Sequence, residues 1–292
     1  MSHRLYVLVR MLLGVYLMVH FAQLFPFAAE LFSNAGLLTA SNSPLTQQVP
    51  NLLSWFTSTT AAKAAIGSGV ALSVLLVVGK GDRVAALLLW LLWATLLQRM
   101  PLLSNPSIPY VGWMLIVHAV LPRRQPQSPF VVDDNTPKWH VPRKVWGLGF
   151  ALLMVGYSFS GLTKCASPSW ADGSALLHVL QSPLARPHAL TTWMVEHPVL
   201  LTASTYGVLA LELLAAPLSL SRRLRPWVWL SFVAMHLGIV VLVDFADLTL
   251  GMLLMHALTF DEDWLQMLRR RWGQSSASTA ALSPSHAPAN AA

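Results

Sequence analysis

The sequence predicts an all-α protein, a polytopic bundle of about eight transmembrane helices with short interfacial helices in two outer loops. Hydrophobic residues make up 55% of the chain and charged residues only 11%, whereas a soluble domain carries roughly a quarter charged residues. The mean hydropathy is +0.55, and the apolar residues recur in long blocks with short basic clusters between them. These observations indicate that lipid is part of the solvent for this chain.

Eight apolar segments are long enough, or nearly so, to cross a bilayer, which takes about 20 residues. In chain order they are 5–29, 62–79, 83–98, 108–121, 145–166, 199–219, 227–243 and 245–260. The third, fourth and eighth are short, and only the region of Asp244 and Asp247 separates the last two. We expect the first segment to be a retained helix, since Arg10, His20 and Gln23 interrupt it; a cleavable signal peptide is the alternative.

Basic residues are distributed unequally between the two faces that this helix count defines. With the N-terminus inside, 14 of the 19 Lys and Arg lie on the inner side, as the positive-inside rule requires. Those residues are Arg4, Lys80, Arg83, Arg123, Arg124, Lys138, Arg143, Lys144, Arg222, Arg223, Arg225, Arg269, Arg270 and Arg271. We therefore expect a bacterial cytoplasmic (inner) membrane protein with both termini cytoplasmic. Charge in this pattern sets orientation and does not indicate a nucleic-acid partner.

The chain divides into a helix bundle, 1–268, and a cytoplasmic tail, 269–292, whose Ser, Ala and Pro content predicts disorder. Two outer loops are long, 30–61 and 167–198. The first contains an apolar stretch at 52–56 and the second a predicted short helix at 172–181. Long loops of this kind are usually functional or mobile, and we expect both to lie on the membrane or cap the bundle.

Lys164, near the outer end of the fifth span, is the leading candidate for a functional residue. Charge within the hydrocarbon layer is costly, so each intramembrane ionisable group needs a reason. Lys164 is either a snorkelling anchor at the interface or a partly desolvated base or nucleophile. Gly161 would let a backbone or ligand approach, and the following loop, with Trp170 and Asp172, could fold back as a lid.

Other ionisable groups give weaker signals. Glu212 and His236 lie on consecutive spans, so we expect a Glu–His pair, either structural or a proton relay. Arg99, at an outer helix end, would either bind an anion or snorkel, and His20 is either a packing group or part of a ligand pocket. The single cysteine and the absence of His-x-x-x-His or His-Glu-x-x-His patterns predict no metal site.

Several segments resemble, in order, the HTTM membrane proteins, the family related to the membrane part of vitamin K-dependent γ-carboxylase. The most specific is Phe159-Ser160-Gly161-Leu162-Thr163-Lys164, followed by Trp170-Ala171-Asp172-Gly173. The other matching residues are Arg10 with Gly14, Leu31 to Leu38, Gln98-Arg99-Met100-Pro101, Leu211-Glu212, His236-Leu237-Gly238-Ile239, and Leu258-Thr259-Phe260-Asp261 with Trp264. The resemblance spans roughly residues 5–265.

The resemblance implies that Lys164 is the base that deprotonates a reduced quinone such as vitamin K hydroquinone on the outer side. Three departures limit what it implies. The carboxylase has a large lumenal domain after its spans, so we do not expect peptide γ-carboxylation here. His118 and Gln98 are only candidate counterparts of a family His and Asn, and the spacing from Lys164 to Trp170 is one residue longer than in the carboxylase.

Three functions follow as alternatives. The first is a membrane enzyme, carboxylase-like or a quinone-linked oxidoreductase, with Lys164 as catalytic base. Its candidate cofactor-binding residues are Arg99, Trp170, His236, Glu212 and His20. The second is a non-catalytic membrane scaffold for an envelope protein, and the third is a small-solute transporter, against which the absence of internal repeats argues. Membrane lipid is the expected partner in every case, joined by a lipid-soluble quinone in the first; the sequence does not identify a protein partner.

Overall fold

The computed structural model describes residues 1–45, 52–121 and 139–264. Within these ranges 76% of the residues are helical and none forms a strand, so the all-α prediction is confirmed. The predicted tail, 269–292, lies outside the described residues, as do several of the basic residues that set the predicted orientation.

Thirteen α-helices are present in the described part of the chain. They are α1 (His3–Leu24), α2 (Ala28–Phe32), α3 (Leu52–Trp55), α4 (Thr59–Val78), α5 (Asp82–Arg99), α6 (Ile108–Val120), α7 (Arg143–Cys165), α8 (Pro168–Ala171), α9 (Ala175–Gln181), α10 (Ala189–Val195), α11 (Pro198–Ser219), α12 (Arg225–Leu242) and α13 (Ala246–Leu258). Short helices occur in both long loops, α3 in the first and α8 to α10 in the second.

Five helices are long and apolar enough to cross a membrane, as a multi-pass membrane protein requires. They are α4, α7, α11, α12, and the single span that α1 forms with its continuation α2. Two further apolar helices, α6 and α13, have 13 residues each. The remaining long helix, α5, has 18 residues but carries Asp82, Arg83 and Arg99 at its ends. The structure thus gives five candidate spans, and a total of eight stays a prediction.

Consecutive long helices run in opposite directions, which gives the bundle two ends. At the Met1 end, Val141 N donates to Met1 O at 3.3 Å and Trp146 Nε1 to Thr259 O at 3.0 Å. At the Lys164 end, Arg186 N donates to Leu242 O at 2.9 Å. Polar groups at these ends can meet water or headgroups, whereas those between them need partners inside the bundle.

Small residues allow the two closest helix pairs, α1 with α4 and α7 with α11. A Cβ on Gly14 of α1 would lie 3.1 Å from the carbonyl oxygen of Ser73 on α4. A Cβ on Gly161 of α7 would lie 2.7 Å from the backbone nitrogen of Leu213 on α11. Close backbone approach of this kind is how membrane helices gain van der Waals contact. The space that Gly161 leaves is therefore filled by a neighbouring helix backbone.

Candidate functional site

Lys164 forms an ion pair with Glu212 where α7 meets α11. Its Nζ lies 2.5 Å from Glu212 Oε1, and the side chains are 24% and 5% exposed respectively. The indole ring of Trp170, on α8, covers the ammonium group with its centroid 4.5 Å from Nζ. A lysine held between a buried carboxylate and an aromatic face does not extend freely to the headgroups. Lys164 thus has partners inside the bundle, and its role as a base stays a prediction.

The helices that carry this pair are fixed to each other just below it. Ser158 Oγ donates to Leu213 O at 3.1 Å and accepts from Ala216 N at 3.0 Å. Together with the contact at Gly161, these bonds set the rotation of α11 against α7 and bring Glu212 to face Lys164. The other carboxylate oxygen, Glu212 Oε2, is buried and has no hydrogen-bond partner within the described residues.

The loop after α7 supplies the cover over Lys164 and is itself anchored to α11. Tyr206 OH donates to Ala171 O at 3.0 Å. Asp172 Oδ1 accepts from Ser174 N at 2.9 Å and Ser174 Oγ at 2.6 Å. These hydrogen bonds from Ser174 lower the pKa of the exposed Asp172 carboxyl. Trp170 thus closes over the ion pair as a folded element rather than as a loose lid.

His236 belongs to a second polar layer rather than to a pair with Glu212. Tyr157 OH lies 2.7 Å from His236 Nε2 and 2.8 Å from His256 Nε2. The hydroxyl has one proton, so it donates to one ring and accepts from the other, and the two imidazoles hold opposite tautomers. The expected Glu212–His236 pair is therefore wrong, because each residue has a different partner.

Sequence reasoning missed Tyr157, although a signal was present. Tyr157, Gly161 and Lys164 follow one another at spacings of four and three along α7, which places them on one face of the helix. The layer is buried, since Tyr157, His236 and His256 are at most 5% exposed, and Phe232 stacks on Tyr157 at 3.7 Å between ring centroids. The Nδ1 atoms of His236 and His256 have no hydrogen-bond partner among the described residues.

Arg99 is fully buried at the Lys164 end, in the other half of the bundle. Its relative exposure is 0%, and Nη2 donates to Ser33 O at 3.0 Å and Asn34 Oδ1 at 3.2 Å. These contacts fasten the end of α5 to the turn after α2. The snorkelling alternative for Arg99 is therefore wrong, and its contacts are with that turn and not with Lys164.

His20 lies in a separate cluster centred on Asp247 at the start of α13. Asp247 Oδ1 accepts from Tyr16 OH at 2.8 Å and pairs with His20 Nδ1 at 2.8 Å, while Oδ2 accepts from Asn105 Nδ2 at 2.9 Å. Tyr16, His20 and Asp247 also line a cavity of about 370 Å³ between α1 and α13. Sequence reasoning treated Asp247 only as a break between two spans.

A third cluster, at the Met1 end, was also missed because it depends on Asp82. Asp82 Oδ2 lies 3.0 Å from Arg10 Nη1 and 3.1 Å from His118 Nε2. His118 Nδ1 in turn lies 2.6 Å from Tyr6 OH. The side chains of Arg10, Asp82 and His118 are at most 8% exposed, so this cluster holds α1, α5 and α6 together.

The predicted site residues thus separate into groups. Lys164, Glu212 and Trp170 are in contact, and His236 belongs to the neighbouring layer on α7, α12 and α13. Arg99 and His20 make their contacts in the half formed by α1, α5 and α13. In residues 1–45, 52–121 and 139–264 no group of three or more His, Cys, Asp or Glu side chains could hold a metal ion.

Comparison with known proteins identifies no relative of this chain. The chain matches no family model, no curated protein and no solved structure.

Proposed function

We propose that this protein binds a quinone-like lipid in its reduced form at the Lys164 end of the bundle, and that Lys164 and Glu212 move a proton from it. The observation that carries the proposal is the half-buried Lys164–Glu212 ion pair under Trp170. The resemblance of this segment to HTTM proteins supports the same ligand class.

An ammonium group has no lone pair, so the ion pair must first become neutral before Lys164 accepts a proton. Nζ and Oε1 are in hydrogen-bond contact, so the proton needs to move only from the lysine to the carboxylate. Burial disfavours charged forms, and a ligand that excludes water from the site favours the neutral amine–carboxylic acid pair. The amine then accepts the proton of a quinol hydroxyl, and the resulting anion lies beside the new ammonium group.

The surroundings suit such a ligand. Trp170 places an aromatic ring next to the Lys164 ammonium group, and aromatic side chains are the usual packing partners of a planar ligand ring. Glu212 is held almost fully buried, so its nearest proton donor is the Lys164 ammonium group rather than bulk water.

The proposal places the site in a protein of eight crossings in a bacterial cytoplasmic membrane, with the Met1 end cytoplasmic. Eight crossings are supported by the directions of α5, α6 and α13, which alternate with those of the five longer apolar helices. What supports the orientation is the concentration of basic residues on the Met1 side. Lys63→Cys and Arg222→Cys, each combined with Cys165→Ser because the native cysteine is exposed, test the topology: only position 63 should react with an impermeant reagent added from outside. The opposite pattern, or labelling of both, contradicts the topology.

The function is tested with vitamin K hydroquinone bound to the purified protein in nanodiscs. The ultraviolet spectrum distinguishes the neutral hydroquinone from its monoanion, so it reports the proton transfer directly. We expect the wild type to produce the monoanion at neutral pH. Lys164→Ala and Lys164→Arg should bind without producing it, because arginine keeps the charge but does not act as a base.

Lys63→Ala is the matched control, since Lys63 is an exposed lysine at the same end of the bundle. It should behave as the wild type. Glu212→Gln should also abolish the monoanion, because glutamine does not accept the lysine proton. If Lys164→Ala forms the anion as the wild type does, or if the wild type does not bind the quinol, the Lys164–Glu212 pair is structural, as in a scaffold.

A further inference from the structure

We propose a second ligand site, separate from Lys164: the cavity between α1 and α13 binds a neutral lipid alcohol, and His20 accepts the hydrogen bond of its hydroxyl group. The cavity measures about 370 Å³, which lies in the range of roughly 300–1,000 Å³ typical of small-molecule sites. It does not depend on the function proposed for Lys164.

When the His20 ring is neutral, its Nε2 atom is a free acceptor at the polar end of the cavity. A carboxylate only accepts hydrogen bonds, so the His20 ring must carry its proton on Nδ1, the atom that faces Asp247. In the neutral ring Nε2 therefore holds a lone pair, and it has no hydrogen-bond partner in the described part of the chain. Tyr16 and Asn105 hold Asp247 in place, so the orientation of the ring is fixed before any ligand arrives.

The charge of the lining selects the head group. The lining contains Asp247 and His20 but no lysine or arginine, so nothing there compensates a phosphate, and the carboxylate repels one. A neutral head group that donates a hydrogen bond to Nε2 therefore fits this lining. Gln23, also in the lining, offers an amide donor for a second oxygen such as an ester carbonyl.

The shape of the cavity suits an acyl chain. Its wall runs from Gln23 at the Lys164 end to Leu12 near the middle of α1, about 16 Å at 1.5 Å per residue. Away from the polar end the lining is aliphatic, with Leu12, Leu250 and Leu254 among its members. A lipid alcohol such as 1,2-diacylglycerol would place its hydroxyl at His20 and the first part of one acyl chain along this wall, with the rest of the molecule in the surrounding lipid.

The experiment compares the binding of three probes with identical acyl chains to the full-length protein, measured by native mass spectrometry. They are 1,2-dioleoylglycerol, its O-methyl ether, which lacks the donor, and the corresponding phosphatidic acid. We expect the wild type to prefer the alcohol over the ether about fivefold, which corresponds to roughly 1 kcal/mol, the worth of one hydrogen bond. Phosphatidic acid should bind no better than the ether.

Variants locate the site. His20→Phe, or His20→Met if the former does not fold, should make the alcohol and the ether bind equally. Leu250→Trp should weaken the alcohol at least tenfold by filling the cavity, whereas Leu91→Trp should have no effect, because Leu91 is equally exposed (44% against 45%) but lies on α5. Lys164→Ala should also leave binding unchanged. Equal binding of alcohol and ether to the wild type, preference for phosphatidic acid, or wild-type binding by Leu250→Trp would overturn the proposal.

Discussion

Two clusters along α1 use the same chemistry at opposite ends of the bundle. In each, an aspartate in the first turn of a helix contacts a histidine, and a tyrosine of α1 completes the hydrogen-bond network. One cluster joins Tyr6 and Arg10 of α1 to Asp82 and His118. The other joins Tyr16 and His20 of α1 to Asp247. They differ in access. The Asp82 side chain is 2% exposed, whereas that of Asp247 is 33% exposed and lines a cavity.

The difference shows how burial decides between a structural and a ligand-accessible role. In the closed cluster, which consists of Tyr6, Arg10, Asp82 and His118, Arg10 neutralises Asp82. Removing either charge therefore destabilises the fold. In the open cluster, which consists of Tyr16, His20, Asn105 and Asp247, three donors surround Asp247, and Nε2 of a neutral His20 ring is left over as an acceptor. Similar residues therefore stabilise helix packing at one end and form a candidate binding site at the other.

The largest expected effect is that of removing the charge from the closed cluster. Asp82→Asn leaves Arg10 without this carboxylate in a buried position, and we expect a loss of about 3–5 kcal/mol in the free energy of unfolding. Asp247→Asn, the matched change in the open cluster, should cost about 1 kcal/mol, since solvent and headgroups can replace part of what is lost.

Steric trapping in detergent or bicelles measures both free energies on the same scale. Equal losses for the two variants would mean that exposure does not separate the clusters. A larger loss for Asp247→Asn would reverse their roles.

The hydrophobic pattern predicted the helices more closely than it predicted the clusters. The segment 199–219 corresponds to α11, Pro198–Ser219, because apolar length and a flanking proline are local properties. Asp82 and Asp247 were missed because each lies in the first turn of a helix, where an acidic residue ordinarily favours the helix dipole and meets water. Only the packing of α1 against these helix ends reveals that each carboxylate collects several donors.

The partner of Glu212 was missed for a related reason. Sequence order places Glu212 and His236 on consecutive helices, and such helices usually pack together. Which face of α11 turns toward which neighbour depends on the close approach at Gly161. That contact directs Glu212 to Lys164 on α7, an arrangement that periodicity along a single helix does not specify.

A glycine next to the closed cluster gives the next largest effect. Gly79 ends α4 with φ +81°, and a Cβ there would collide with Arg10 Nη1. Gly79→Ala therefore combines left-handed backbone strain with displacement of a guanidinium that Asp82 holds, and we expect a loss of about 2–3 kcal/mol. Gly81→Ala is the control, because Gly81 has φ +62° but a Cβ added to it would meet nothing within 4 Å.

The control should lose only about 1 kcal/mol, the cost of the backbone strain alone. Both substitutions remove the same conformational freedom from the unfolded chain, so the difference in unfolding free energy isolates the crowding at Arg10. If the two variants lose the same amount, the guanidinium moves aside freely and the closed cluster is not rigid.

The smallest effect is expected from removing one hydroxyl from each cluster. Tyr6→Phe removes the hydrogen bond between the Tyr6 hydroxyl and Nδ1 of the buried His118 ring. We expect it to lower the free energy of unfolding by about 1–2 kcal/mol. Tyr16→Phe takes one of three donors from Asp247, which keeps His20 and Asn105, and should cost about 0.5 kcal/mol. The free energies of unfolding of the two variants, measured as above, give the comparison. An equal or larger loss for Tyr16→Phe would show that the Asp247 network carries the fold as much as the Asp82 network does, and that its exposure to the cavity is incidental to its role.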